Sequence, residues 1–433
     1  MSEVSMEQLV SLAKRRGFIY QGSEIYGGLA GTWDYGPLGV ELKNNIKQIW
    51  WRMFVQGRDD MYGVDAAILM NPEVWKASGH VEGFSDPLVE CKKCKRRFRA
   101  DHVGDSCPEC GGQFGEVRQF NMMFQTQIGA TEGSISYLRP ETAAGIFVNF
   151  KNVVDSFHPK LPFGIGQIGK AFRNEIAPRD FIFRVRELEQ MEIEYFVRPD
   201  HWEDAFESWR KGVHEFNEAV GIPRSAVHEL EVAAEDRAHY SKRTIDFEFD
   251  FPFGRKELYG LAYRTDFDLS AHQKGSGQNL EFQDDVEGDK VLPHVIEPSF
   301  GVDRTVLAVL AAAYAEDEQD GETRVYLKFN TAVAPVKAAV FPLLKNKPEL
   351  VEKAREVYAM LKQEIPQIMW DDNGNIGKRY RRQDEIGTPY CITIDFDTLG
   401  ETPDLKDTVT LRDRDTGTQE RVSIGELIGR LRA

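Results

Sequence analysis

The chain has 433 residues with 41% hydrophobic and 29% charged side chains, an ordinary globular balance that excludes disordered, fibrous and collagen-like proteins and, at this length, predicts two or three domains. Its net charge of −16 disfavours a nucleic-acid partner for the molecule as a whole, because phosphate binding depends on clustered cations. The longest apolar stretch, Val306 to Tyr314, is too short to cross a bilayer and no signal-peptide core is visible, so we expect a cytoplasmic protein without a membrane partner.

Hydrophobic periodicity predicts the elements of the first three quarters of the chain in order. We expect helices at Met6 to Arg16 and Val40 to Phe54, a cysteine-rich insert at 88–118, strand-like alternation over 120–196, a mainly helical segment over 200–242, strands from Thr244 to Thr265 and near Val295, and a helix from Asp303 to Tyr314. The acidic run EDEQDGET at 316–323 is typical of a linker.

The character of the sequence changes after this run. An apolar strand (AAVFPLL), a charged helix from Pro348 to Glu364 and a second strand (PYCITIDF) alternate as in a small α/β domain. Residues 332–433 are also nearly neutral, with 16 basic and 17 acidic side chains, which leaves room for local basic patches. We therefore expect one domain over 1–331 and a second over 332–433.

Four of the five cysteines are arranged as two CxxC pairs separated by twelve residues: Cys91, Cys94, Cys107 and Cys110. Each pair can offer two thiolates from one tight turn, a spacing typical of structural Zn²⁺ sites. The segment also has few apolar residues with which to form its own core, which favours a metal. A redox pair or a metal-free remnant are the alternatives.

The run FGIGQIGK contains a GxGxxG pattern at Gly164, Gly166 and Gly169. A dinucleotide site would need a strand before these glycines and a helix after them, but Pro162 precedes them and a strand-like sequence follows. We therefore do not interpret the pattern as a nucleotide-binding loop.

Residues 169–196 predict an antiparallel hairpin with many charges on its strands. Two alternating runs are joined by a turn that contains Pro178 and Asp180. Charged residues among the apolar ones are Arg173, Glu175, Arg184, Arg186, Glu189, Glu192 and Glu194. A sheet cannot bury so many charges without partners, so a polar ligand is favoured over a solvated face with cross-strand ion pairs.

A second charged segment, PHVIEPSFGVDRTVLAVL at 293–310, combines a strand, a glycine break and a helix whose first turn carries Arg304. The free amides of a helix N-terminus attract phosphate, and a guanidinium adds charge-assisted hydrogen bonds. Alternatively, Asp303 caps the helix and Arg304 pairs with a surface carboxylate.

Together these two segments resemble motifs 2 and 3 of the class II aminoacyl-tRNA synthetases, and nearly the whole chain resembles the homodimeric glycyl-tRNA synthetases. Further matching segments are YGPLGVELKNNIKQIWW (35–51, the dimer-forming motif 1), LRPETAAGIF (138–147), RTDFDLSAH (264–272) and GNIGKRYRRQDEIGTPY (374–390). The resemblance implies an α+β catalytic domain, in which an antiparallel sheet is flanked by helices, followed by an α/β anticodon-binding domain. ATP, Mg²⁺, glycine, tRNA and a second copy of the chain would be the partners.

The resemblance also implies an ATP site. Arg173 would hold the α-phosphate and the attacking carboxylate, and Arg304 the γ-phosphate, with Glu175 completing the catalytic set. The remaining ATP-binding residues would be Asn174, Arg184, Val185, Glu257 (through Mg²⁺) and Leu258. Prepositioned guanidinium groups and metal ions would lower the barrier to adenylate formation without a covalent protein intermediate.

For the amino acid, the resemblance places a group of acids around the substrate. The residues concerned are Glu141, Glu192, Glu297, Pro298 and Ser299, with Arg264 nearby and Arg99 as a further candidate. Carboxylates can bind the ammonium of glycine while leaving no room for a side chain.

Two positions depart from the family pattern. Leu188 stands where the family has a phenylalanine that stacks on adenine, and Ala144 stands where it has a glutamine. A leucine can cover adenine by dispersion but gives up the contact between rings, which is worth about 1 kcal/mol.

In the C-terminal segment, an aromatic residue lies among cations: Lys378, Arg379, Tyr380, Arg381 and Arg382. A cation run is usually a solvated face. Here the resemblance makes the run an anticodon contact, in which cations bind the RNA backbone and aromatic groups stack on unpaired bases.

The resemblance implies the activity of a glycine–tRNA ligase, which forms glycyl-adenylate from ATP and transfers glycine to tRNA. Two alternatives remain: a class II synthetase for another amino acid, and a synthetase-like nucleic-acid-binding subunit that has lost catalysis. The acids at Glu141, Glu192 and Glu297 oppose the first. The phosphate ligands at Arg173, Glu175, Glu257 and Arg304 oppose the second.

Overall fold

The computed structural model describes residues 4–129, 133–238, 240–284, 287–319 and 321–432. Its helices are α1 (Met6–Arg15), α2 (Pro37–Trp51), α3 (Pro72–Ala77), α4 (His80–Gly83), α5 (Ala143–Phe147), α6 (Phe150–Phe157), α7 (Trp202–Val220), α8 (Phe267–Ser276), α9 (Val302–Ala313), α10 (Pro348–Glu364), α11 (Ile376–Ile386), α12 (Phe396–Leu399) and α13 (Leu427–Arg432). Its strands are β1 (Ile19–Gln21), β2 (Trp33–Tyr35), β3 (Met61–Gly63), β4 (Ser85–Glu90), β5 (Arg97–Arg99), β6 (Arg118–Asn121), β7 (Gln125–Ile128), β8 (Ser134–Tyr137), β9 (Phe163–Phe172), β10 (Glu187–Val197), β11 (Val227–Glu231), β12 (Arg243–Phe251), β13 (Gly254–Thr265), β14 (Phe282–Asp284), β15 (Asp289–Val291), β16 (His294–Gly301), β17 (Tyr314–Gln319), β18 (Glu322–Leu327), β19 (Ala338–Pro342), β20 (Ile368–Trp370), β21 (Tyr390–Ile394), β22 (Thr408–Asp413) and β23 (Gln419–Ser423).

A seven-stranded sheet in the order β11-β12-β13-β16-β10-β9-β3 organises the N-terminal part of the chain. All its strand pairs are antiparallel except β3 with β9. One face packs against α2, α7 and α9, where Trp50, Phe206 and Leu307 are completely buried. Each such side chain contributes about 1.5–3 kcal/mol by leaving water, so this face anchors the sheet.

The predicted hairpin at 169–196 is confirmed in the pairing of β9 with β10, which runs from Phe163↔Phe196 to Glu187↔Phe172. The three glycines of the GxGxxG pattern lie inside β9 rather than in a loop before a helix. A Cβ at Gly169 would be 2.2 Å from Nη2 of Arg139, so that position needs glycine because a guanidinium passes close to the backbone.

Three predicted segments differ from the structure. Within the strand-like region 120–196, residues of ETAAGIF and the following run form α5 and α6, whose apolar side chains pack under the sheet edge. The second half of the 200–242 segment contains strand β11, which extends the sheet by pairing with β12. The run at 316–323 is not a linker: β17 and β18 form a hairpin there, although Asp320 lies outside the described residues.

An ion pair links the two strands of the hairpin and continues into the C-terminal part of the chain. Arg324 on β18 is 2% exposed and forms an ion pair with Asp317 on β17. Its guanidinium also lies 3.4 Å from Asp384 on α11, and Arg412 on β22 binds the same carboxylate at 2.8 Å. The hairpin thereby attaches the N-terminal part of the chain to the C-terminal part.

The C-terminal part is the predicted small α/β unit. Its sheet has the order β20-β19-β21-β22-β23, in which β19 is parallel to both of its neighbours and the other pairs are antiparallel. Leu350, Val357 and Ile392 belong to a separate hydrophobic core. Within the described ranges, no helix is both long and apolar enough to cross a membrane.

Candidate active site

A cavity of about 480 Å³ opens on the face of the large sheet that α2, α7 and α9 do not cover. Strands contribute alternate residues to it because successive side chains point to opposite faces. Leu188, Gln190 and Glu192 come from β10, and Glu297 and Ser299 come from β16. The register pairs Glu192 with Ser299, which brings the two charged segments of the sequence together.

Most of the predicted site residues line this one cavity. They are Arg99, Glu141, Arg173, Glu175, Arg184, Val185, Glu192, Glu257, Leu258, Glu297, Ser299 and Arg304. Three others do not line it: Asn174, Pro298 and Arg264. The side chain of Arg264 nevertheless reaches Glu297, with Nη1 2.7 Å from Oε1.

The cationic groups are held in place by neighbouring elements. Arg173 donates from Nε to the carbonyl of Pro140 at 2.9 Å, and its guanidinium lies 5.5 Å from the ring centre of Phe84. Arg304 lies 3.1 Å from the carboxylate of Glu257 and 4.5 Å from the ring centre of Phe183. Both guanidinium groups are thus prepositioned, which lowers the cost of ordering them around an anion.

The charge of Arg304 also affects the pKa of its partner, Glu257. The positive charge of Arg304 lowers the pKa of the Glu257 carboxyl and outweighs the effect of burial. Asp246 on β12 shows the opposite effect, since burial and the charge of Glu257 raise its pKa to about 7. The part of the cavity around Arg304 therefore combines a carboxylate kept ionised, Glu257, with a carboxyl that titrates near neutrality, Asp246.

The acidic groups are equally well ordered. Glu192 is 2% exposed, and its carboxylate accepts hydrogen bonds from the hydroxyls of Thr142 and Ser299. Glu141 lies 3.3 Å from Nε2 of His80. Burial alone would raise the pKa of Glu141, but His80 and nearby arginines hold it at about 2. Burial and the charge of Glu141 raise the pKa of Glu192. The site therefore presents the fixed negative charge of Glu141, with a second ordered carboxyl beside it, to a small cationic group.

The cysteine-rich insert reaches the cavity through Arg99. This guanidinium binds Asp86 at 2.8 Å and Asp101 at 2.7 Å. The chain on either side of the insert also supports the site, because Phe84 lies beside Arg173 and Met122 accepts a backbone hydrogen bond from Asn174 at 2.8 Å. The insert is therefore part of the wall rather than a separate appendage.

Sequence reasoning missed several residues at the site. His80, Phe183, Tyr240 and Asp246 contact or line the cavity region. Phe183 lies within the predicted hairpin but is uncharged, and the other three lie outside the segments that the charge pattern singled out. Alternation could have indicated Asp246, because it lies two residues from Thr244 and both face the cavity from β12. The others approach from loops and short helices whose positions the sequence pattern does not specify.

Comparison with known proteins identifies the family. The chain is 50% identical to the glycine–tRNA ligase of Caldanaerobacter subterraneus subsp. tengcongensis over 98% of this chain and 97% of the relative. Ligases of the same name from Clostridium acetobutylicum and Acetivibrio thermocellus are 50% and 51% identical over the same shares. The chain belongs to the glycine–tRNA ligases.

Two family models match separate parts of this ligase, one containing most of the large sheet and the other containing the C-terminal sheet. The model of the tRNA synthetase class II core domain (G, H, P, S and T) matches residues 125–313, and the model of the anticodon binding domain matches residues 337–433. The predicted fold class, a class II synthetase core followed by an anticodon-binding domain, is confirmed, and so is the predicted ligase family.

The two departures from the family pattern occupy different places in the ligase. Leu188 lines the cavity. Ala144 is 1% exposed and packs with Trp75 and Met123 behind the wall, without lining the cavity.

The four cysteines of the ligase meet as their spacing predicts. Sγ of Cys91 lies 3.5 Å from that of Cys110, Sγ of Cys94 lies 3.6 Å from that of Cys107, and all four atoms are within 4.8 Å of one another. A tetrahedral Zn–S₄ site with bonds of about 2.3 Å requires sulfur atoms about 3.8 Å apart. The cluster therefore has the donor set and the size to hold a metal ion.

The basic run of the anticodon-binding domain lies on α11 beside a second cavity of about 900 Å³. Lys378 is exposed there, and Tyr380, Arg381 and Arg382 also line it. Arg379 is only 1% exposed and donates to the carbonyls of Asp372 and Gly374 at 3.2 and 2.8 Å. The prediction of an RNA contact is therefore wrong for Arg379, whose guanidinium supports a turn instead.

Proposed function

We propose that this ligase joins glycine to ATP in the cavity of the large sheet and then transfers the glycyl group to tRNA. One observation carries the proposal: fixed guanidinium groups and fixed carboxylates line the same small cavity. The first can bind a triphosphate, and the second can bind an amino acid's ammonium. Two substrates held side by side in this way react as an effectively unimolecular pair.

In the first step, a carboxylate oxygen of glycine attacks the α-phosphorus of ATP, and the bond to pyrophosphate breaks. Arg173 binds the α-phosphate and the attacking carboxylate, while Arg304 binds the γ-phosphate. The other ATP-binding residues are Asn174, Glu175, Arg184, Val185, Glu257 and Leu258. Mg²⁺ entering with ATP would be held through Glu257, where it neutralises phosphate charge. In the second step, the terminal ribose hydroxyl of tRNA attacks the activated carbonyl and AMP leaves.

The carboxylates select the amino acid. Glu141 and Glu192 bind the ammonium of glycine, and Glu297, Pro298, Ser299, Arg264 and Arg99 complete the surroundings. Because Glu192 is fixed by Thr142 and Ser299, it cannot swing aside for a larger substrate. A side chain on the substrate would meet a charged wall, which costs both steric and desolvation energy.

Amino-acid-dependent exchange of pyrophosphate into ATP tests this function directly. We expect glycine alone among the standard amino acids to support exchange. Exchange with another amino acid in place of glycine would indicate a class II synthetase of different specificity. Exchange no faster with any amino acid than without would indicate a binding protein that has lost catalysis.

We propose that Cys91, Cys94, Cys107 and Cys110 hold a structural Zn²⁺. The insert is small, and metal bonds would replace the hydrophobic core that it lacks. Each CxxC turn contributes two sulfurs, and a backbone amide of Cys94 already points at Sγ of Cys91 at 3.5 Å.

Replacing Cys107 by serine tests the metal. We expect the zinc content to fall from about one ion per chain to near zero, since structural Zn²⁺ sites need four ligands. Metal analysis by plasma mass spectrometry measures this, and limited proteolysis should show cleavage within 85–121. Cys391→Ala, which removes the cysteine outside the cluster, should keep the zinc. Wild-type protein purified without chelators and free of zinc would contradict the proposal.

We further propose that the N-terminal catalytic domain spans 1–331 and the anticodon-binding domain 332–433, and that the second cavity receives tRNA. Lys378, Arg381 and Arg382 would bind the RNA backbone, and Tyr380 would stack on a base.

We also propose that the ligase forms a homodimer through α2 and that it is located in the cytoplasm. The homodimer is supported by an open surface depression in the α2 region, which is lined by Asn44, Gln48 and Arg52.

A further inference from the structure

Next to the amino-acid pocket, the large sheet carries a buried carboxyl that the proposed reaction does not use. Glu194 is 0% exposed, and neither of its carboxyl oxygens has a hydrogen-bond partner among the residues that the structure describes. It lies on β10 on the same face as Glu192, two residues further along. An ionised carboxylate that is buried without a partner is strongly disfavoured, so its charge must be removed or balanced.

The closest group across the sheet is a second carboxyl. The register of β10 with β16, Glu192↔Ser299 and Tyr195↔Ile296, places Glu194 directly opposite Glu297. Side chains at opposite positions on one face have Cβ atoms about 4.5–5.5 Å apart. Glu297 is 8% exposed, so solvent does little to screen the two groups from each other.

One arginine, Arg264, contacts this pair of carboxyls, but a third acid also binds its guanidinium. Arg264, from β13, is 2% exposed and donates to Glu297 at 2.7 Å, but Asp268 on α8 binds the same guanidinium at 2.7 and 2.8 Å. The other groups that act on the pair are Glu192 on β10, Glu141 beyond it and Tyr240, whose ring centre lies 3.8 Å from the Arg264 guanidinium. His272 on α8 acts on Asp268 and Arg264, and the uncharged Gln167 on β9 lies opposite Glu192. Carboxyl groups therefore outnumber cations.

A proton is the simplest way to balance this excess. A metal ion does not explain it, because in the described part of the chain the cysteine cluster is the only group of such side chains close enough to bind a metal. Burial and the neighbouring carboxylates raise the pKa of Glu297 to about 8 and raise that of Glu194 well above its ordinary value. Two like-charged carboxyls at this separation resist simultaneous ionisation.

We propose that Glu194 and Glu297 share one proton while the amino-acid pocket is empty, and that the ammonium of bound glycine displaces this proton to solvent. The inference rests on the proposed function, which brings an ammonium next to Glu297. The positive charge of the substrate then replaces the positive charge of the proton. No covalent bond other than the O–H bond breaks. Glu194 is thus a positioning residue that sets the charge of the pocket.

The proposal fixes the sign of the pH dependence. Because the proton and the ammonium compete, binding should become tighter as the pH rises through the range in which the pair is protonated. Release of one proton corresponds to about tenfold tighter binding per pH unit. At a pH low enough for the complex to keep the proton as well, binding stays weak and no longer changes with pH.

The test uses the full-length ligase and two stable analogues of the adenylate. Glycylsulfamoyl adenosine carries the ammonium, whereas acetylsulfamoyl adenosine has a hydrogen atom in its place. Isothermal titration in two buffers of different ionisation enthalpy gives the protons released on binding. We expect about one more proton from the glycyl than from the acetyl analogue in the wild type, and near zero difference in Glu194→Gln. Any proton lost by the ligand itself would persist in the variant.

Glu187→Gln is the matched control, because Glu187 lies on the same strand but is exposed and pairs with Lys170 at 2.9 Å. It should release protons like the wild type. Equal release with both analogues in the wild type would overturn the inference, even if Glu194→Gln did not fold. A difference of the full wild-type size in Glu194→Gln would overturn it as well. If neither analogue binds, the proposed function fails instead.

Discussion

Replacing Arg173 by alanine should lower glycine-dependent pyrophosphate exchange by at least about 10²- to 10³-fold, the usual cost of removing one preorganised charge-stabilising donor. The guanidinium is held by the Pro140 carbonyl and the Phe84 ring before substrate arrives. It can therefore stabilise charge that develops on the α-phosphate without reorganising. Its loss should reduce kcat more than it raises the KM for glycine, because the interaction strengthens in the transition state.

Two further variants separate this effect from a general loss of positive charge. Arg173→Lys should restore little activity, because an ammonium cannot reproduce the two-pronged contact of a guanidinium with phosphate and carboxylate. Arg255→Ala removes an arginine from β13 that is exposed and pairs with Asp250 at 2.9 Å, and it should keep nearly full activity. If Arg173→Ala and Arg255→Ala lost exchange to the same extent, Arg173 would not have the proposed position.

Elements with strong local signals could be predicted from the sequence. The helix at Pro348–Glu364 has the predicted bounds, because proline at its first position and an apolar stripe define it locally. The strands at 316–323 could not be predicted, because Asp317 pairs with Arg324 and Gln319 accepts a hydrogen bond from Arg412, which is far along the chain. Polarity there indicated a linker in solvent, whereas one face of the hairpin contacts Arg324 and Arg412, which both bind Asp384.

The same distinction applies to the candidate site. Glu192 and Glu297 stood out because charge is unusual on apolar strands, and the sheet register brings them to one face. His80 did not stand out, because its contact with Glu141 depends on how a short helix folds against the sheet. Glu194 was visible as a charge, but only the structure shows that it is fully buried opposite a second carboxyl.

Replacing Arg264 by methionine should lower the free energy of unfolding by about 3–5 kcal/mol, the cost of leaving buried charges without their partner. Methionine keeps most of the volume, so the loss is mainly electrostatic. The guanidinium is 2% exposed and is bound by Asp268 and Glu297, which would both remain in the low-dielectric interior. Urea unfolding followed by tryptophan fluorescence measures the change, since Trp50 and Trp209 lie in the core of the same sheet.

The comparison variant Arg255→Met breaks an exposed ion pair on the same strand and should cost less than about 1 kcal/mol, because water screens such pairs. The contrast between the two variants isolates burial as the cause. Equal losses would mean that the Arg264 cluster is as well solvated as the surface pair. In that case the acids beside the amino-acid pocket could all remain ionised, and they would not need a shared proton to balance their charge.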